Sequence, residues 1–451
     1  LVLLGPCAWL VVGAALVFRV SQQRFGRLTT LGSARWATAA DLAFAGVGPG
    51  DSGPVLGRLQ ALSLSAALNQ FLTPHCSSER AWRDLWISLG RSVSPLVRLT
   101  RAVHTVVFAP SGVGKGVSCV VPFLKTCKES CAVIDFKGEN ALLTAAHRQL
   151  VLGQEVIILD PYHVTTSAPD TFNPLDFIDA ENPHALDACN ALAKALVVRT
   201  GEERDPHFND SSEFMIAAVV AVVVCFGEGG TSRSLQTVRE ILCDSQRLDL
   251  AIRLMRESTV WNGMLARMGG QLTHFVDREK ASTLTTVARH TRFLDTQAVA
   301  ESTATSSLDP ADLRRKKVTV YMILPPEHMR AQSALLRMWI GSFFSAIVGG
   351  GLGESRKVNF VLDEAASLGS LESIEDAVDK FRGYGVRLQL YYQSMGQLEK
   401  CFSSPQVVLS NCSQVYFGVN DNQTAEYVST RLGEETIVLE SGGTSYGSSS
   451  Q

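Results

Sequence analysis

From Arg101 onward the chain alternates short, nearly continuous apolar runs with stretches whose apolar residues recur at helical spacing. The runs read HTVVFAP, CAVIDFKGE and EVIILDPY, then, much later, VTVYMILPP, VNFVLDEA, RLQLYYQS and QVYFGVND, and each stops at a polar or glycine-containing loop. Strands that are apolar on both faces belong in a parallel sheet covered by helices on both sides. The pattern therefore predicts an α/β nucleotide-binding fold. Between Asp176 and Asp312 the strand text stops and helical text takes over, as in ALDACNALAKALVV and SSEFMIAAVVAVVVCFG. The apolar run Phe214–Phe226 is too short to cross a bilayer and predicts a buried helix with Asp210 or Ser211 as its N-cap. An all-helical insertion follows, so the sheet is assembled from two separated pieces of chain.

The first residues, LVLLGPCAWLVVGAALVFRV, have about the length that spans a hydrocarbon core and no charge before Arg19. Arg19, Arg24 and Arg27 follow, and the positive-inside bias places the rest of the chain in the cytoplasm. The other reading, the apolar core of a signal peptide, calls for a cleavage site that the sequence does not clearly offer. The expected organisation is a truncated transmembrane anchor at 1–20 and a membrane-proximal linker region at 21–100. A nucleotide-binding domain follows in two parts, 101–175 and 313–440, around an inserted all-α domain at 176–312, with a flexible Gly/Ser-rich tail at 441–451.

Composition narrows this picture. With 451 residues, 46% hydrophobic and 19% charged, the chain is not disordered and has room for two or three cores. A formal net charge of −3 excludes an overall basic surface for nucleic acid, so any polyanion contact must be local. The ten cysteines are scattered, and Cys127 and Cys131 lack the paired spacing of a zinc site, which points to reduced structural thiols.

The candidate chemistry centres on APSGVGKGVS, Ala109 to Ser118. A P-loop wants Gly first and Ser or Thr after the Lys, because backbone N–H groups cradle phosphates and the hydroxyl holds Mg²⁺. Here Ala109 and Gly116 occupy those positions, yet the context is right: a strand precedes, and Val117, Val120, Val121 and Leu124 recur at helical spacing behind. Ala109, Pro110, Ser111, Gly112, Val113, Gly114, Lys115, Gly116 and Val117 are the expected phosphate-binding residues. Gly112 and Gly114 allow successive N–H groups to turn inward, and Lys115 neutralises the β/γ oxygens. Ser118, about 200° round a helix from Gly116, cannot simply replace the missing hydroxyl. Mg²⁺ would then depend on phosphate oxygens, water and distant carboxylates, with weaker affinity expected.

Those carboxylates stand in VNFVLDEAASLG, where Asp363 and Glu364 end a strand on the edge at which α/β sheets bind ligands. Asp363 is assigned to the metal through water, and Glu364 to orienting or deprotonating the attacking water. Gln393 ends another strand and is placed to sense the γ-phosphate or to position water. Arg382 and Arg387, at the start of that strand, read either as solvated arginines or as a finger reaching a neighbouring subunit's nucleotide. Asp135, Lys137 and Glu139 form a second acidic turn on the ligand edge, and Arg314 to Lys317 reads as a solvated loop.

Taken together, GSARWAT (32–38), APSGVGKGVS, DFKGE, NPLDFI (173–178), VNFVLDEAASLG, RGYGVRLQLYYQSMGQLE and GEETI resemble the coupling ATPases of type IV secretion and conjugation systems, of the TraG/TraD kind. In that family Gly after the P-loop Lys is common. The resemblance implies a hexamer anchored in the bacterial inner membrane, its main body cytoplasmic, with a RecA-like P-loop domain and an all-α domain. It also implies ATP and Mg²⁺ as cofactors, and relaxase–DNA complexes or effector proteins, single-stranded DNA and the inner-membrane secretion components as partners. It places the arginine finger on Arg382 and the phosphate-sensing glutamine on Gln393. The family has more than one N-terminal transmembrane helix and a further C-terminal stretch, so this chain is expected to be a fragment. Two other functions fit the residues: a nucleotide-switched docking receptor with little hydrolysis, and an FtsK-like DNA translocase.

Overall fold

The computed structural model describes residues 34, 37, 39–50, 52–58, 96–199 and 207–434, which fall into two compact units. The anchor, the tail and most of GSARWAT and GEETI lie outside the described residues. The smaller unit takes in 39–50, 56–58, 96–101 and 421–434. It contains the helix Ala39–Phe44, strands β1 (Val47–Pro49), β2 (Val55–Arg58) and β3 (Leu96–Leu99), and the helix Asn422–Leu432. β3 lies between β1 and β2, with Val47 opposite Leu99 in the antiparallel β1–β3 pair. The main-chain N–H of Ala34 donates to the carbonyl of Glu434 at 2.8 Å, which joins the GSARWAT and GEETI stretches.

The larger unit is built on seven strands: β4 (His104–Phe108), β5 (Ser130–Asp135), β6 (Glu155–Leu159), β7 (Val318–Ile323), β8 (Val358–Leu362), β9 (Val386–Tyr392) and β10 (Cys412–Tyr416). Their order is β10-β4-β9-β8-β5-β7-β6, and every pairing is parallel. Every residue of β4, β5, β7, β8 and β9 is buried, which is why those runs are apolar without alternation. The two pieces of chain interleave: β4 sits between β10 and β9, and β5 between β8 and β7. Every strand's carboxyl end therefore meets one edge of the sheet.

Between β6 and β7 the described residues hold helices and turns only. The central helix, His207–Phe226, packs against Ala185–Leu196, Leu235–Cys243 and Asp277–Thr291, and Met215 to Val224 are buried throughout. It starts earlier than the sequence pattern predicts, because nothing in HFND breaks a helix. Asp210 is thus inside the first turn, paired with Arg199 at 2.8 Å, and Ser211 is buried, so neither is the N-cap. At 20 residues the helix is long and apolar enough to cross a membrane, but here it is the core of the helical segment. The reading of Arg314–Lys317 as a solvated loop holds for Lys316 and Lys317, which are exposed beyond a short helix, and fails for Arg314. Arg314 lies within the short helix Asp312–Arg315 and donates from Nη1 to the carbonyls of Ile347 (2.9 Å) and Gly351 (2.6 Å), closing the C-terminus of the helix Met329–Gly349.

At the amino ends of the strands a buried guanidinium ties the layers together. Arg148, on the helix Glu139–Leu150, is fully buried and donates to the carbonyls of Leu124, Cys127 and Glu129, to Gln154 Oε1 at 2.8 Å and to Thr319 Oγ1 at 2.6 Å. The acceptors are neutral, and they come from three places in the chain: the segment before β5, Gln154 before β6, and β7 itself. Deleting the group would remove these donated bonds from a buried cluster that Gln154 and Thr319 only partly satisfy between themselves. Arg148→Leu is expected to destabilise the chain by about 3–5 kcal/mol, read as a lower urea midpoint, as for removal of one member of a buried polar network. An unchanged midpoint would show that the acceptors find other donors.

Candidate functional site

The loop after β4 is positioned by backbone bonds to both neighbouring strands. Ala109 N–H donates to the carbonyl of Tyr392, at the end of β9, and Phe417 N–H, just past β10, donates to the carbonyl of Phe108, at 2.8 and 2.7 Å. Ala109 is fully buried and is not among the residues with positive φ, so its methyl group is no obstacle. Gly112 and Gly114 have φ of +84° and +85°, a region that L side chains rarely adopt. Gly418, absent from the sequence expectations, presses on the loop: a Cβ there would stand 3.4 Å from Val113 Cγ1. Lys115 leads into a π-helical turn, Gly116–Val120, closed by the Val121 N–H on the Gly116 carbonyl, and then the helix Val121–Thr126. π-Turns of this kind cluster at functional sites. Val120 and Leu124 are buried, whereas Val117, on the outer side of the π-helical turn, is 75% exposed and is not part of the apolar stripe.

Lys115 meets the acidic pair. Its Nζ lies 2.9 Å from Asp363 Oδ1 and 3.1 Å from Glu364 Oε2. Gln393 donates from Nε2 to Glu364 Oε1 at 2.5 Å, and its own N–H donates to Gln397 Oε1 at 2.8 Å. Burial lowers the Lys115 pKa, but the two carboxylates outweigh it and hold the ammonium above its ordinary value. Glu364 has φ +69° and ψ +50°, a left-handed conformation that costs a non-glycine residue on the order of 1 kcal/mol or more. An added Cβ on Gly116 meets nothing within 4 Å and its φ is not left-handed, so the missing hydroxyl is not a steric demand of the fold. Ser118 leans back on the loop, its Oγ 3.7 Å from where a Cβ on Gly114 would be.

Asp135 ends β5 next to Asp363, since Ile134 pairs with Leu362 in the β5–β8 register. It is 2% exposed and accepts from the Ala141 N–H at 2.8 Å, capping the helix that follows. Burial pushes its pKa up to about 6, with the Asp363 charge adding to the rise and backbone N–H groups opposing it. Lys137 and Glu139 are exposed. Gly138, at φ +73°, makes the turn between them, and Thr165 leaves no room there for a side chain.

Arg382 is not brought to this cluster. It lies in the turn Phe381–Tyr384 before β9, at the other end of that strand from Gln393. It is 64% exposed, with its Nε 3.3 Å from Glu354 Oε1. Arg387 is only 8% exposed and reaches the same oxygen at 3.0 Å. Glu354 sits in the glycine-rich stretch GGGLGESRK, where no spacing marked it. His104 shares this end of the sheet. Its Nδ1 accepts from Leu388 N–H at 3.2 Å, and its buried Nε2 has no hydrogen-bond partner among the described residues.

The P-loop-like cradle, one lysine and a facing acidic pair can hold a phosphate chain and a hydrated cation. A profile of the family described as Type IV secretory system Conjugative DNA transfer matches residues 67–451. The type IV secretion system-coupling protein VirD4 of Bartonella quintana (strain Toulouse) is 29% identical over 345 residues, 74% of this chain and 54% of its own. The chain thus spans about half the length of the curated relatives it matches. Among solved structures, the plasmid coupling protein TrwB in complex with the ATP analogue ADPNP is similar at TM-score 0.56 and 18% identity, over 74% of this chain and 75% of that one. The same protein with ADP and Mg²⁺ gives 0.57 at 18% identity, over 74% of each. At that identity the likeness concerns the fold, an α/β nucleotide-binding arrangement on a parallel central sheet.

Burial, then the charges of Arg387 and Arg382, lower the His104 pKa from 6.5 to about 4. The neutral ring therefore favours the folded chain: its stabilisation is complete above pH 6.5 and is lost as pH falls toward 4. Asp135 titrates in part of the same window with the opposite sign, so the informative quantity is a difference. Unfolding of the wild type and of His104→Asn, followed by denaturant from pH 7 to 4, should diverge by about 3 kcal/mol in pH-dependent stability. Parallel curves would remove His104 as the acid-sensitive group.

Proposed function

The chain belongs to the type IV secretory system conjugative DNA transfer family, and from that premise we propose that it is a membrane-anchored hexameric ATPase. On this reading it couples ATP hydrolysis to the recruitment and transfer of DNA, or of relaxase or effector proteins, into a type IV secretion channel at the bacterial inner membrane. The observation that carries the reading is the junction of Lys115 with Asp363, Glu364 and Gln393 at the carboxyl ends of three adjoining strands. The nucleotide-binding domain is taken as 101–175 with 313–440, and 176–312 as an all-α domain that receives substrate.

The residues divide the work by position. The main-chain N–H groups of Ser111 to Val117 turn toward a phosphate chain, and Lys115 trades its contacts with the acidic pair for phosphate oxygens. Mg²⁺ fits the donor set: Asp363 would hold it through water, and its charge would offset that of the phosphate oxygens. Gln393 fixes one oxygen of Glu364, which leaves the other to orient water and take its proton. Arg382, exposed and far along β9 from its own loop, supplies positive charge to the neighbouring subunit's nucleotide. One observation favours a switch with little hydrolysis, the absence of a hydroxyl at Gly116, and turnover decides between the two.

ATP turnover by the chain should rise more steeply than linearly with protein concentration. Lys115→Ala should abolish it, while Glu364→Gln and Arg382→Ala should each lower it by about 100-fold or more. An Arg382→Ala subunit mixed with a Glu364→Gln subunit should recover part of the rate, because a shared site can then be assembled from the intact halves. Tight ATP binding with negligible turnover would favour the switch. The open space at Gly116 yields a separate expectation: Gly116→Thr should fold normally and reach half-maximal turnover at several-fold lower Mg²⁺. No shift in the Mg²⁺ dependence would mean that the hydroxyl does not reach the ion.

A further inference from the structure

The helix Met329–Gly349 runs for 21 residues, and its N-cap, His328, makes no side-chain capping bond. Its first turn lines a cleft of about 590 Å³, which Arg289, His290 and Arg292 close from the helical segment and Arg330 from the helix itself. Among the described residues no acidic side chain lines it. The nearest carboxylate along the chain, Asp295, is engaged by Arg239 through both oxygens, at 2.9 and 2.6 Å. At its wall stands Gln332, 4% exposed, with Nε2 on Thr296 Oγ1 at 3.0 Å, the Tyr162 side chain beside its amide, and Oε1 without a partner among the described residues. The amide is equally satisfied when turned over, since the Thr296 hydroxyl can then donate to the oxygen. That orientation frees two N–H donors beside the helix terminus.

We propose that this cleft binds a phosphate group of a single-stranded nucleic acid, at a site separate from the loop after β4. Three guanidiniums, the partial positive charge at a helix start and a buried amide line one space. β7, which feeds this helix, is four positions from β4 in the sheet, about 19 Å at the usual strand spacing. The cleft is also larger than a lone phosphate needs and falls in the range that holds nucleotide-sized ligands. The choice of a strand over a free nucleotide rests on the DNA-transfer reading above; the phosphate chemistry does not.

The test is binding of a fluorescent single-stranded oligonucleotide to the whole chain across a salt series, comparing wild type with the double substitution Arg292→Glu, Arg330→Glu. Affinity should fall at least about tenfold, with the log–log salt slope shallower by about 1.4 for two lost phosphate contacts. Arg292→Lys with Arg330→Lys should restore most of it. Both arginines are exposed and outside the nucleotide site, so thermal midpoint and DNA-free ATP turnover should stay at wild-type values. Inorganic phosphate and AMP serve as competitors. If they bind in an arginine-dependent way while the oligonucleotide is indifferent to the substitutions, the strand is the wrong source. If neither responds, the cleft is not a phosphate site. Arginine-dependent strand binding by a chain without ATP turnover would sink the motor reading and leave this site standing.

Discussion

The parallel placement of β4 between β10 and β9 is the constraint on which the candidate site depends. A loop with two positive-φ glycines has no stable shape by itself. Here its entry is pinned by the Ala109 N–H on Tyr392, and the strand that feeds it by the Phe417 N–H on Phe108, while Gly418 closes over Val113. Because the pins are main-chain bonds to neighbouring strands, sheet register alone sets where Lys115 starts. The same register puts Gln393, Asp363 and Asp135 at the ends of β9, β8 and β5, each one strand spacing from the next.

Electrostatics then explains why the cluster is poised. One ammonium faces Asp363 and Glu364, and Asp135 stands beside Asp363 in register, so a third carboxylate adds to the negative side of the cluster. Asp135 expresses the imbalance through its raised pKa, about 6, where burial and the Asp363 charge both resist ionisation. A site with surplus negative charge at its carboxylates and inward N–H groups at its loop favours a cation and an anion arriving together. The left-handed backbone of Glu364 belongs to the same economy of position. It holds the side chain against Gln393 and Lys115 at a local conformational cost, and strain of that kind collects at functional sites.

Much of this was legible in the sequence, for a definite reason. Strands buried on both faces leave continuous apolar text, and HTVVF, VNFVL and RLQLYY announce both themselves and the polar residues at their ends. Lys115, Asp363, Glu364 and Gln393 could be singled out because each directly follows such a run or its loop, and the structure brings them together. What depends on chain segments meeting was hidden. Glu354 lies in a glycine-rich stretch with no period, Gly418 looked like the end of a strand, and His104 read as one more strand residue. Arg314 was misread because a basic run looks solvated until a helix C-terminus, built by residues far along the chain, supplies its carbonyls. The start of the central helix was missed for the opposite reason: a polar first turn gives no apolar signal even when it is helical.

The near-neutral composition also takes on a different meaning once the cations are located. Several arginines of this chain serve its own architecture: Arg148 and Arg337 are buried against carbonyls, Arg314 closes a helix, and Arg239 is held by Asp295. Lys115 is compensated by its acidic pair. Such cations contribute to the sum of 41 lysines and arginines without projecting a field, because a partner cancels each charge or a carbonyl cage absorbs it. Arg289, Arg292 and Arg330 differ in that they share one cleft with no ion pair among the described residues. A net charge of −3 is therefore compatible with a strongly positive spot. The sequence limits polyanion contact to something local, and packing decides which few of the arginines remain electrostatically available to make it.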